Sequence, residues 1–129
     1  MKLYDIFVYG TLRRGGMYDN YLNGSELIIE KYILEGYALY DYQQWYPYMV
    51  LQANSSVVGD IYRVSESILP NLHELEGIDE QLFRFVYLEK QQCYTYLKYD
   101  DDLTGMKYIE GGDWLVYYQS LPSDIRYKE

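Results

Sequence analysis

Apolar and polar positions alternate along this chain in short runs. Residues 4–9, 26–34, 37–40, 48–51, 57–62, 83–90 and 93–98 are mostly rich in β-branched and aromatic side chains and predict strands. Gly10, Gly15-Gly16, Gly24, Gly36, Tyr46-Pro47 and Asn54-Ser55 punctuate them as turn signals. Two segments carry a helical pattern instead. Residues 17–22 follow Gly15-Gly16, and residues 67–75 follow Ser65 as a cap and place Ile68, Leu69, Leu72 and Leu75 at helical spacing. Pro70 falls in the first turn of that helix, where its missing N–H costs least. The pattern predicts an α+β fold: a small mixed, mostly antiparallel sheet curled into a barrel, with a few short flanking helices. No linker, repeat or shift in composition divides residues 1–129, so one domain is expected.

Composition narrows the partners. The chain has 129 residues, 49% hydrophobic and 24% charged, which suits a folded globular protein. Eleven Lys and Arg stand against twenty Asp and Glu, a formal charge of −9 that repels the phosphates of nucleic acids and anionic membranes. The longest uncharged stretch, residues 42–59, is broken by Gln43, Gln44, Pro47, Gln52, Asn54, Ser55 and Ser56, so it does not read as a membrane span. A single cysteine, Cys93, cannot form an internal disulfide, and the N-terminus lacks the apolar stretch of a signal peptide, so a reducing cytoplasm is expected. The 19 tyrosines suit half-buried strand faces and pocket rims alike and name no function.

The chemistry-bearing residues are few. His73 and Cys93 have no metal-ligand spacing and do not read as a nucleophilic pair. His73, opposite the apolar stripe of its helix, reads as a solvated surface residue, and Cys93 as a core residue. Asp100-Asp101-Asp102 reads as a solvated turn tip, so no metal site is expected. The segment Tyr9-Gly10-Thr11-Leu12-Arg13-Arg14-Gly15-Gly16 leaves an apolar strand and enters a short helix. It is either a plain strand-to-helix turn or a loop whose backbone N–H groups cradle an anion or carbonyl. It is neither a Walker loop nor a dinucleotide fingerprint, and Arg13 and Arg14 as the only local cations argue against a phosphate ester. Glu74 and Glu76 close the second helix on different faces, ahead of Gly77 as a terminator. Their spacing singles out neither, and each reads equally well as a solvated acid.

Taken in order, Val8-Tyr9-Gly10-Thr11-Leu12-Arg13-Arg14-Gly15, Gly36-Tyr37-Ala38-Leu39-Tyr40, Tyr46-Pro47, Val58-Gly59-Asp60-Ile61-Tyr62, Leu72-His73-Glu74-Leu75-Glu76-Gly77 and Gly112-Asp113-Trp114 form a series. This series resembles the gamma-glutamylcyclotransferase-like family, including AIG2-like, gamma-glutamylamine cyclotransferase and BtrG-like proteins. The resemblance implies a barrel with flanking helices, a substrate-binding loop at Tyr9, Gly10, Thr11 and Leu12, and Glu76 as general acid and base. It implies a small gamma-glutamyl amide or amine as substrate, 5-oxoproline as product, and no cofactor. His73 stands where many relatives have Asp, and Leu82 stands where they often have Tyr, which implies a reshaped wall near residues 82–84. The alternative is a non-catalytic small-molecule or protein-binding module of the same fold. A Glu76 that faces solvent favours the module, and one buried opposite the loop favours the enzyme.

Overall fold

The strand β1 (Leu3–Val8) is the one around which the sheet is built. It pairs antiparallel with β3 (Tyr46–Ser65) and parallel with β5 (Cys93–Lys98), and Ile6, Phe7 and Val8 are buried between these neighbours. The computed structural model describes residues 2–43 and 46–122. Outward from β3 lie β2 (Glu26–Tyr42) and the two-residue β6 (Lys107–Tyr108); outward from β5 lies β4 (Phe83–Leu88). The order β4-β5-β1-β3-β2-β6 gives a mixed six-stranded sheet that curls into a half-barrel. Among the described residues, only the β1–β5 pair is parallel.

The expected strands 26–34 and 37–40 are one continuous β2, and 48–51 and 57–62 are one continuous β3. Gly36 and Asn54 do break the register, but they do so as bulges inside a strand pair. Both have positive φ, +88° and +63°, and the pairing passes from Glu35↔Ser56 to Tyr37↔Leu51. A left-handed residue is equally at home in a turn or a bulge, and a bulge bends the sheet without ending it.

The first expected helix shrinks to a 3₁₀ turn, Asp19–Leu22, because the chain before it is tied back in tight turns (Gly16 N–H to Arg13 C=O, 2.7 Å; Tyr18 N–H to Thr11 C=O, 2.8 Å). The second expected helix is a 3₁₀ turn, Glu66–Ile68, that continues into α1 (Leu69–Leu75). Pro70 sits in its first turn, as expected, while the Ser65 hydroxyl caps no backbone N–H and instead meets the Ser67 hydroxyl at 2.6 Å. A further helix, α2 (Trp114–Ser120), was not expected. Asp113 caps it by accepting the Val116 N–H, and Trp114 is buried against the sheet.

Candidate functional site

The C-terminal end of β1 releases the chain into the loop Tyr9–Gly16, and the shape of that loop is imposed by buried charges behind it. Asp60 of β3 is 1% exposed and accepts the backbone N–H of Arg14 at 2.9 Å and that of Lys31 at 3.0 Å. The buried Arg13 guanidinium lies 3.7 Å from Asp60 and donates to Asp113 at 2.8 Å. Asp113 therefore caps α2 and anchors the loop at once. In front, Gly10 lies so close to the Pro47 ring that a Cβ at residue 10 would stand 2.8 Å from Cγ. The glycine is required there by the approach of that ring. The backbone N–H groups of Thr11 and Leu12 have no acceptor among the described residues.

Glu76 is brought opposite this loop by the way α1 stops. It is the residue after the last helical turn, followed by Gly77 at φ +67°. Ile78 N–H bonds to His73 C=O and Gly77 N–H to Glu74 C=O, both at 3.1 Å, a Schellman termination that needs glycine at its left-handed position. Glu74 points to solvent, whereas Glu76 lines a cavity of about 260 Å³. Tyr9, Gly10, Thr11 and Leu12 line the same cavity, so the structure brings together all five residues singled out by resemblance.

The Glu76 carboxyl is surrounded by protein although the residue keeps some surface toward the cavity. No hydrogen-bond donor reaches it among the described residues. Desolvation without compensation pushes its pKa up from 4.5 to about 7. Tyr9 and Tyr96 are also desolvated, and the neighbouring Glu76 charge raises their hydroxyl pKa values further. The Tyr9 hydroxyl donates to the Tyr96 carbonyl at 2.5 Å, so Tyr9 is a fixed wall of the cavity with its polar atom engaged.

His73 is not the solvated residue its helical position suggested. Its Nδ1 lies 3.0 Å from the Tyr96 hydroxyl, and its ring packs edge-on against Phe85 and Tyr96. Strands β4 and β5 cover this side of α1, and desolvation lowers the His73 pKa, outweighing the opposing pull of Asp79. Cys93 is buried and its thiol is pushed up to about 11, as a core residue should be. Asp100 and Asp102 are exposed, and Asp100 accepts the Lys98 ammonium. Tyr96, Pro47 and Phe83 complete the cavity wall. Their contribution depends on strand pairing, and no local motif marks Tyr96 or Phe83.

Residues 6–116 match the family model described as gamma-glutamyl cyclotransferase, AIG2-like. The chain belongs to this gamma-glutamyl cyclotransferase family. It is 30% identical over 136 residues to the gamma-L-glutamyl-butirosin B gamma-glutamyl cyclotransferase of Niallia circulans, an alignment covering 97% of this chain and 84% of that protein. It is 34% identical over 110 residues to a putative gamma-glutamylcyclotransferase of Vibrio cholerae serotype O1, covering 84% and 93% respectively. The solution structure of ytfP from Escherichia coli superposes with a TM-score of 0.68 at 27% identity, covering 86% of this chain and 96% of that one. The half-barrel with its loop and helices is thus the fold of the cyclotransferase family. Within that family, no helix among the described residues of this chain is long and apolar enough to cross a membrane.

Proposed function

We propose that this protein is a gamma-glutamyl cyclotransferase that converts a gamma-glutamyl amide or amine into 5-oxoproline and a free amine, with Glu76 as general base and then general acid. The observation that carries this reading is the enclosed Glu76 carboxyl, reached by no donor among the described residues and lining the same cavity as Thr11 and Leu12, whose N–H groups have no acceptor among the described residues. A surface acid on a binding module has no need of that burial.

The substrate contains its own nucleophile. Its α-ammonium gives a proton to the Glu76 carboxylate, and the freed amine attacks the side-chain carbonyl carbon to form a five-membered ring. As the tetrahedral intermediate collapses, the bond to the departing nitrogen breaks, that nitrogen takes the proton back from Glu76, and the regenerated Glu76 carboxylate relays the surplus proton of the ring nitrogen to the released amine. No water is consumed and no enzyme nucleophile is required, because the ring closure is intramolecular. The carboxyl, with a pKa of about 7, is matched to a substrate amine whose reference value is ~7.7–8.0. The unpartnered loop N–H groups are donors for the substrate's carboxylate or for the developing oxyanion.

The test is 5-oxoproline release from a series of gamma-glutamyl amides by the wild-type protein and Glu76→Gln. Release by the wild type that the variant lacks supports the reaction; equal release by both rules out Glu76 as the acid and base.

A further inference from the structure

His73 stands three residues before Glu76, on the same face of α1. Tyr96 of β5, a wall of the cavity, links the two: its hydroxyl lies 3.0 Å from His73 Nδ1, and the Glu76 charge acts on that same hydroxyl. Phe85 of β4 holds the pair from the side, with its ring centre 4.7 Å from the imidazole and 5.0 Å from the Tyr96 ring. Phe85 is itself stacked on Tyr94 at 4.9 Å. The imidazole and the phenol are thus fixed against each other by packing as well as by the polar contact.

One hydrogen occupies that contact, and which side owns it decides what the cavity meets. A phenol has a single hydrogen to donate, and a neutral imidazole has one donor nitrogen and one acceptor nitrogen. Burial and the Glu76 charge keep the proton on the Tyr96 hydroxyl, and desolvation keeps His73 neutral. The hydroxyl has no acceptor except His73 among the described residues, and no donor reaches Glu76. If Nδ1 carried the hydrogen, the buried Tyr96 O–H would be left without a partner, which is costly. The satisfied arrangement has Nδ1 bare and Tyr96 donating to it. The lone pairs of the Tyr96 oxygen then remain for the cavity, as a second acceptor near the Glu76 carboxylate. A cation with several N–H donors suits that pair, and the substrate's α-ammonium is one.

Building on the proposed reaction, we infer that His73 is a positioning residue: by accepting the Tyr96 hydroxyl it fixes the phenol oxygen as an acceptor for the α-ammonium of the substrate. His73 is the only histidine of the chain, so the nitrogen-15 resonances of a labelled imidazole report on it alone. In the full-length wild type above neutral pH, Nδ1 is expected as a bare, hydrogen-bonded nitrogen and Nε2 as the N–H, a pattern that Tyr96→Phe erases. A protonated Nδ1 in the neutral ring overturns the inference. The kinetic test is 5-oxoproline release from gamma-glutamyl-methylamide. His73→Leu and Tyr96→Phe are each expected to raise KM by about tenfold with little change in kcat, the scale of one hydrogen bond to a charged group. The double variant is expected to be no worse than either single one, because both remove the same contact. His73→Asn should restore KM, since its Oδ1 takes the place of Nδ1. N-methylglutaramate, which lacks the α-amine, should inhibit all of these proteins equally. If His73→Leu loses affinity for that inhibitor as well, or keeps the wild-type KM while release still depends on Glu76, the role of His73 is overturned and the reaction stands. Release by none of the proteins, wild type included, overturns the cyclotransferase reading itself, and this inference with it.

Discussion

Asp60 and Glu76 are both enclosed carboxylates that flank one loop, and they live in opposite electrostatic conditions. Asp60 sits behind the loop, receives two backbone N–H groups and lies near the Arg13 guanidinium. Glu76 sits in front, faces the cavity, and receives no donor among the described residues. The difference separates structure from chemistry. A carboxylate whose lone pairs are occupied holds the backbone in place and has little left to offer a substrate. One that is buried without donors is held near neutrality in pKa and is ready to exchange a proton.

The sharpest way to break this contrast is Glu76→Gln. It is expected to slow 5-oxoproline release by on the order of 10²–10⁴, the usual contribution of general acid–base catalysis, in a protein whose circular dichroism is unchanged. The same variant reads out the cost of burying the charge. Between the ordinary carboxyl value of 4.5 and about 7, the folded protein keeps a proton that the unfolded chain has released. Glu76 therefore favours the fold fully below the lower value, and that contribution is lost as pH rises through the upper one. Above it, Glu76→Gln is expected to be more stable than wild type by on the order of 3 kcal/mol in denaturant titration, and the difference should vanish at pH 4.

Asp60→Asn tests the other half. Replacing an acceptor of two backbone N–H groups with an amide turns one bond into a donor facing a donor, so stability should fall by about 1.5–3 kcal/mol, with thermal unfolding as the readout. If Asp60→Asn instead lowers kcat with no change in stability, the division of labour between the two acids is wrong. Gly10→Val forces the loop away from Pro47 and is expected to weaken substrate binding by about tenfold or more in calorimetric titration with a non-reacting gamma-glutamyl analogue. Wild-type affinity would show that the loop does not touch the ligand.

The pH profile of kcat/KM sharpens the picture further. A bell is expected, with one limb near 7 from Glu76 and the other at ~7.7–8.0 from the substrate amine; a profile with no limb near 7 would remove Glu76 from the proton path. The smallest effect belongs to Glu74→Gln. This exposed neighbour is expected to leave both rate and stability within about 0.5 kcal/mol of wild type, and it serves as the control for charge alone.

The sequence made the outline of this fold legible because β1, β4 and β5 are short and uninterrupted, and because Leu69, Leu72 and Leu75 repeat at a helical period. It understated β2 and β3, since Gly36 and Asn54 signal a left-handed residue without saying whether the chain turns or bulges there. The helix α2 was signalled only by Asp113 ahead of Trp114, Leu115, Tyr117 and Tyr118, a cap and an apolar face too short to stand out by periodicity. His73 was misplaced for a related reason. A helix of two turns shows which face is apolar, but not that Tyr96 and Phe85 arrive from the sheet to cover the other one. Local spacing could not choose between Glu74 and Glu76; the ordered series of motifs pointed to Glu76, and the Schellman turn at Gly77 is what sets that residue against the cavity. Asp60 carried a faint signal, a lone acid in an otherwise apolar strand segment, whose meaning depended on partners at residues 14 and 31.

The bond from Arg13 to Asp113 joins residues 100 positions apart. During synthesis, the loop leaves the ribosome early, whereas the carboxylate that orients Arg13 emerges only after every strand of the sheet has been made. The central strand β1 must wait in the same way for β3 and β5. A nascent chain of this protein can therefore acquire helices and hairpins while its loop remains unset. Locking of the loop against α2 is therefore expected to be a late step of folding, after residues 1–113 have all left the exit tunnel.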